Sequence, residues 1–263
     1  MNQKALFFDI DGTIISEKTG QIPDSAISAL DTAKSNGHLT FINTGRTYCC
    51  LPKQLFQFKW DGYLCGCGTR LVCHDHLLFC TTLSRYLISR ITEWMREANV
   101  DGILEGTKNV YFPQESSRFT RLEEIRADFA SLGLGTAQTV EHCPEADKFV
   151  LFSDHHSDLD SLFTHLAPFF SIIDRRNGFY EIVPMGYSKA TAIDFICKKY
   201  HISKENAYVF GDSTNDLPMF SCGAKNCIAM GSHDAALDPY TTFVTKTVEE
   251  DGIAHALSHL ELI

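Results

Sequence analysis

The sequence has few of the features that would set it apart from an ordinary globular enzyme. No stretch of its 263 residues is long and apolar enough to span a bilayer. The opening MNQKA leads straight into an apolar run, without the pattern of an export signal. No internal repeat, low-complexity tract or long linker is present. Positive charge is the scarcer sign: 23 Lys and Arg against 33 Asp and Glu give a net charge of −10. With no run of Lys and Arg to offset that field, a nucleic-acid partner is not expected. The expectation is a cytoplasmic protein, monomer or homodimer, whose partner is a small molecule rather than a membrane or a nucleic acid.

Cysteine is plentiful, with ten in the chain. Their spacing does not form a secreted disulfide framework, so most are expected as reduced, buried apolar residues. The segment LCGCGTRLVCHDH gathers Cys65, Cys67, Cys73, His74 and His76. Zinc sites usually show a Cys-x2-4-Cys pair with a second matching pair. A Cys-x-Cys pair on a strand only places two thiols on one face. The expectation is therefore buried thiols followed by a polar hairpin turn at residues 74–76.

Apolar residues make up 44% of the chain, enough for a sizeable core. KALFFDI is a continuous apolar run, as in a strand buried on both faces of a parallel sheet. PDSAISALDTAKSNGH reads as a helix with Ile27, Leu30 and Ala33 on one face and Gly37 as its stop. LTFINTGR is a second buried strand. A helix over 47–57 and a strand near 62–66 follow, which is the alternation of a parallel sheet with crossover helices. Residues 70–82, RLVCHDHLLFCTT, resemble a hairpin. An amphipathic helix follows, with Leu87, Ile88, Ile91, Met95 and Ala98 on one side, then shorter strands and helices near 121–132 and 157–167. The first style resumes from about 183, through the strand NAYVFG and a last helix over 248–261. The partition is an α/β core made of residues 1–82 and 183–263, with a second α/β domain over 83–182 inserted.

In open parallel sheets, ligands bind at the carboxyl ends of the strands. Three apolar strands here end in polar groups: Asp9-Ile10-Asp11-Gly12-Thr13, Asn43-Thr44-Gly45-Arg46, and Gly211-Asp212-Ser213-Thr214-Asn215-Asp216. If these strands are neighbours, four aspartates converge, and they cannot all ionise in a small space without a cation. An oxygen-rich cluster of this kind suits Mg²⁺. Lys189, at a helix start, supplies a further positive charge.

These four segments together resemble the haloacid dehalogenase superfamily of phosphatases, in its Cof-type branch with a C2-type cap. Residues 9–13 match its Asp-x-Asp-Gly-Thr motif, Thr44-Gly45-Arg46 its second, Lys189 its third, and residues 211–219 its Gly-Asp-Ser-x-Asn-Asp-x-x-Met motif. The resemblance covers the whole chain and implies a Rossmann-like core with a cap placed after the second motif. It implies a Mg²⁺-dependent phosphomonoesterase, in which Asp9 is the nucleophile and Asp11 the general acid and base. It further implies that the metal is held by Asp9, the Asp11 carbonyl and Asp212. Thr44, Gly45 and Lys189 then contact the phosphoryl group, Asn215 touches it or orients Lys189, Arg46 makes either a substrate contact or a helix-start salt bridge, and Asp216 supports the metal or Lys189. Sugar phosphates, or cofactor phosphates such as pyridoxal phosphate or flavin mononucleotide, are the substrate classes.

Two departures from the family pattern stand out. Ala190 replaces the usual Gly after Lys189, and Cys67-Gly68-Thr69 stands where Asn-Gly-Ala is common. A phosphoryl-transferring mutase or a non-catalytic phosphometabolite sensor are the alternative readings. The mutase would typically carry its insert after the first motif, and a sensor has no need of a nucleophile. The segment SDHHSD at 153–158 suggests another phosphoesterase class, but it lacks companion aspartate motifs, and Ser157 or Asp158 reads as a helix cap.

Overall fold

A computed structural model describes residues 3–136 and 138–263, and these form two compact units. Unit 1 comprises Met1–Arg46, Leu51–Phe79 and Ser188–Ile263, and unit 2 comprises Thr47–Cys50 and Cys80–Tyr187.

The chain enters unit 1 through β1 (Ala5–Phe8), which is buried throughout. Helix α1 (Asp24–Ser35) follows and buries Ala26, Ala29, Leu30 and Ala33, while Ile27 is only partly covered. Gly37, at φ +88°, takes the left-handed conformation that stops the helix. Strands β2 (Leu39–Asn43), β3 (Gly62–Cys65), β4 (Arg70–Cys73) and β5 (His76–Cys80) continue the sheet. No single helix covers 47–57. Two 3₁₀ turns, Tyr48–Cys50 and Lys53–Gln57, stand there instead, with Pro52 between them in extended conformation. Proline lacks an N–H and pushes the residue before it out of the helical region, so one helix cannot run through. Cys65 and Cys67 do not share a strand either: Cys65 ends β3, and Cys67 sits in a turn at φ +56°. Both are buried, as is Cys73, and His74 and Asp75 make the turn into β5 with positive φ.

Unit 2 is built on an antiparallel sheet of β6 (Asp101–Glu105), β7 (Val110–Tyr111), β8 (Lys148–Phe152), β9 (Phe170–Asp174) and β10 (Phe179–Pro184), ordered β7-β6-β8-β10-β9. Alternation along β8 sends Phe149 and Leu151 to one face and Val150 and Phe152 to the other. The first face packs on helices α2 (Arg85–Glu97) and α4 (Leu159–Leu166), and the second on α3 (Thr120–Ser131). Asp158 caps α4 by accepting from the Ser161 amide at 3.1 Å, which is the role expected within SDHHSD.

The chain returns to unit 1 through α5 (Lys189–Tyr200), β11 (Ala207–Gly211), the short α6 (Leu217–Phe220), β12 (Asn226–Ala229), β13 (Phe243–Val244) and α7 (Gly252–His259). The last helix is shorter than the sequence predicts. A 3₁₀ turn over Val248–Glu250 comes first, and Asp251 at φ +61° breaks the run. The complete sheet reads β13-β12-β11-β1-β2-β3-β4-β5, parallel from β13 to β3 and antiparallel between β3 and β4. The chain moves outward from β1 through β2 and β3, then returns to the other side of β1 with β11. The switch in strand order therefore falls between β1 and β11, where an open sheet leaves a crevice for a ligand.

Candidate active site

Asp9 lies one residue beyond β1, Asp212 one beyond β11 and Thr44 one beyond β2, at the carboxyl ends of three adjacent strands. Lys189 opens α5, whose start is fixed by a capping box between Ser188 and Thr191. Its ammonium is buried, 2.7 Å from Asp9 Oδ1 and 2.7 Å from Asp216 Oδ1. Burial works against that cation. The two carboxylates more than offset it, and the Lys189 pKa stands above its ordinary value.

The carboxylates fare less well. Burial, the charges of Asp216 and Asp9, and too little compensation from Lys189 push Asp212 up to about 8. Asp9 is pushed up to about 7, by burial first and then by Asp216. Side-chain oxygens of Asp9, Asp212 and Asp216 lie within 4.8 Å of one another. One ammonium does not balance three acids at that spacing, so the cluster is short of positive charge.

The donor set fits Mg²⁺. Both Asp216 oxygens are committed: Oδ1 accepts from Lys189, and Oδ2 from the amides of Asp212 (3.0 Å) and Ser213 (3.2 Å). Asp9 spends Oδ1 on Lys189 and Asp212 spends Oδ1 on the Thr13 hydroxyl at 3.0 Å, so each keeps a second oxygen for a cation. Glycine is required around them. A Cβ on Gly12 would come 2.6 Å from Asp212 Oδ2, and Gly12 has φ +74°. A Cβ on Gly211 would come 2.5 Å from Asp216 Oδ2.

Asp11 has a different partner from Asp9. The strand ends at Phe8, and the amides of Thr13, Ile14 and Ile15 all turn onto the Ile10 carbonyl. The Asp11 carboxylate takes a bidentate contact from Arg46, at 2.8 Å from Nε and 2.9 Å from Nη2, with both side chains partly exposed. Thr44 is buried, and its hydroxyl accepts from the Arg46 amide at 3.1 Å. Gly45 lies between them. Asn215 Oδ1 accepts from the Ser213 hydroxyl at 2.7 Å, and the acid that orients Lys189 is Asp216.

Several contributors were not singled out from the sequence. Thr13 holds Asp212; it stood inside the first motif, but nothing in the spacing pointed it at Asp212. Asn43 Nδ2 donates to the Lys189 carbonyl at 2.9 Å, fixing the start of α5 from the end of β2. Gly68, at φ +88°, lets the turn after β3 approach the same helix start, since a Cβ there would meet the Ser188 carbonyl at 2.7 Å. Asp234 donates its amide to the Asp212 carbonyl at 2.7 Å and accepts from the Thr214 hydroxyl. Pairings across tens of residues leave no local signal.

A family model for haloacid dehalogenase-like hydrolases matches residues 6–257. The chain belongs to the haloacid dehalogenase-like hydrolases. The solved structure of the subclass IIB sugar phosphatase BT4131 superposes with a TM-score of 0.82 at 26% identity, covering 99% of this chain and 100% of that one. YitU of Bacillus subtilis, a 5-amino-6-(5-phospho-D-ribitylamino)uracil phosphatase, is 25% identical over 95% of this chain and 94% of its own length. A Streptococcus pyogenes protein named as a bifunctional phosphatase and peptidyl-prolyl cis-trans isomerase is 28% identical over 99% of this chain. The match spans 54% of that longer protein. With this family and these neighbours, the chain is a hydrolase of the phosphatase type. Among the described residues, no helix is long and apolar enough to cross a membrane.

Proposed function

We propose that the chain is a Mg²⁺-dependent phosphomonoesterase that passes through an aspartyl-phosphate on Asp9. The observation that carries this reading is the clamp on Asp9. Lys189, which Asp216 also holds, keeps one oxygen of a buried carboxylate in place and favours its ionised form. In this reading the oxygen beside Lys189 attacks, and the second Asp9 oxygen is left to the cation.

In this reading the Asp9 carboxylate attacks phosphorus, the bond to the ester oxygen breaks, and Asp11 gives that oxygen its proton. Asp11 then takes a proton from water as the water attacks the aspartyl-phosphate, and inorganic phosphate leaves. Bound by Asp9, the Asp11 carbonyl and Asp212, Mg²⁺ would screen the anionic nucleophile from the anionic substrate and stabilise transition-state charge. The Thr44 hydroxyl, the Gly45 amide, the Asn215 amide and the Lys189 ammonium serve as donors to the transferring oxygens. Arg46 holds the Asp11 carboxylate, and an incoming phosphate is itself a ligand for that guanidinium.

We assign unit 2, near the expected 83–182 insertion, the part of a cap that excludes water and selects the leaving group. BT4131 and YitU are named for small phosphate monoesters, a sugar phosphate and a phosphoribityl compound. Small phosphorylated metabolites of that kind are the proposed substrates here. Ten cysteines without a disulfide suit the reducing cytoplasm.

Rapid acid quench with ³²P-labelled p-nitrophenyl phosphate and Mg²⁺ tests the reading. The phenolate leaves without an acid, so Asp11→Asn is expected to accumulate label on Asp9, and Asp9→Asn none. Turnover by the wild type with no trapped label in Asp11→Asn would overturn it.

A further inference from the structure

One pair of nucleophiles lies outside the chemistry described so far. Cys49 and Cys50 occupy the 3₁₀ turn Tyr48–Cys50, within the short segment Thr47–Cys50 that belongs to unit 2. Their Sγ atoms are 3.6 Å apart. The Thr47 hydroxyl donates to Cys50 Sγ at 3.2 Å and lies 3.8 Å from Cys49 Sγ. The Cys49 thiol donates to the Gly106 carbonyl at 3.3 Å. Cys49 is half-buried. Cys50 is 5% exposed and packs with Ile103, Val110, Phe112 and Leu122. One thiol thus meets solvent, while its neighbour is held behind it.

The spacing selects the chemistry. A pyramidal trivalent centre with sulfur bonds of about 2.3 Å, at about 100° to one another, holds two thiolates about 3.5 Å apart. A disulfide needs about 2.05 Å. At 3.6 Å the pair spans a single soft atom almost without moving, whereas a direct sulfur–sulfur bond would require it to close by about 1.5 Å. The two thiols are also unequal. The hydrogen bond from Cys50 lowers the Cys49 thiol, with burial acting in the opposite direction. Cys50 is raised by its bond to Cys49 and by burial, with Glu105 adding to that. Cys73, Cys143, Cys197 and Cys227 are all driven up by burial. Cys49 is therefore suited to attack first and Cys50 to close the ring.

We infer that Cys49 and Cys50 form a dithiol site for a soft, thiophilic centre that takes two sulfur ligands, of the trivalent organoarsenical class. With phenylarsine oxide, the Cys49 thiolate forms the first S–As bond as the As=O bond opens, and the oxide takes a proton from water to become hydroxyl. The Cys50 sulfur then forms the second S–As bond as the As–OH bond breaks. The Cys50 proton leaves with the hydroxyl as water, and arsenic stays trivalent throughout. The site draws on neither the metal cluster nor the proposed phosphatase chemistry.

Intact-mass measurement on the full chain tests this. The reduced wild type is treated with phenylarsine oxide in excess 2-mercaptoethanol, then with 2,3-dimercaptopropanol. The wild type is expected to keep one arsenical more than Cys49→Ser/Cys50→Ser through the monothiol and to release it to the dithiol. If the double variant does not fold, Cys49→Ser alone, at the half-exposed position, is compared in the same way. Loss of the adduct to the monothiol, or an equal load on the variant, would overturn the inference.

Discussion

Lys189 Nζ and Asp9 Oδ1 meet at 2.7 Å with both side chains buried, and Asp216 Oδ1 accepts from the same ammonium at 2.7 Å. Removing one partner of a buried pair leaves an uncompensated charge, which costs about 3–5 kcal/mol. Lys189→Met is therefore expected to lose about that much stability in metal-free denaturant unfolding, with phosphatase activity falling alongside. A midpoint within error of the wild type would contradict the clamp.

Arg46 and Asp11 pair at 2.8 Å but stand partly in solvent, where screening limits a pair to about 1 kcal/mol or less. Arg46→Ala should therefore leave the unfolding midpoint nearly unchanged while raising KM for phosphate esters. A loss of stability comparable to that of Lys189→Met would show that the contact is structural.

The raised carboxylates fix a pH dependence. Asp9 near 7 and Asp212 near 8 hold protons that an unfolded aspartate, at about 3.9, has already released. Their contribution to stability is fully present below about pH 4 and is lost as pH rises through 7 to 8. Bound Mg²⁺ displaces those protons, so its affinity rises across the same window. Thermal melts at about pH 6 and about pH 8.5 should show a larger Mg²⁺-induced rise at the higher pH. Asp212→Asn should flatten the metal-free decline. An equal Mg²⁺ effect at both pH values would refute the assignment.

Gly12→Ala and Gly20→Ala form a matched pair. Both positions have positive φ, so both carry a backbone penalty of about 1 kcal/mol. Only at Gly12 does the added Cβ meet the Asp212 carboxylate; at Gly20 it meets nothing within 4 Å. Gly12→Ala is expected to weaken Mg²⁺ binding in calorimetric titration, and Gly20→Ala to leave it intact.

Much of this site could be read from the sequence because its acids sit at strand ends inside compact motifs. Asp9, Thr44 and Asp212 needed only the parallel order of β1, β2 and β11 to come together. Their partners were harder to read. Which cation serves which acid is settled by contacts 35 and 180 residues apart, Arg46 with Asp11 and Lys189 with Asp9. Helical periodicity also failed over 47–57, where Pro52 divides the run into two tight turns.

The most direct measurement is phosphate release from p-nitrophenyl phosphate by the purified chain, with and without Mg²⁺, beside Asp9→Asn. The account predicts Mg²⁺-dependent release by the wild type and a loss of at least about a thousandfold in the variant. Equal release by the two proteins would contradict it.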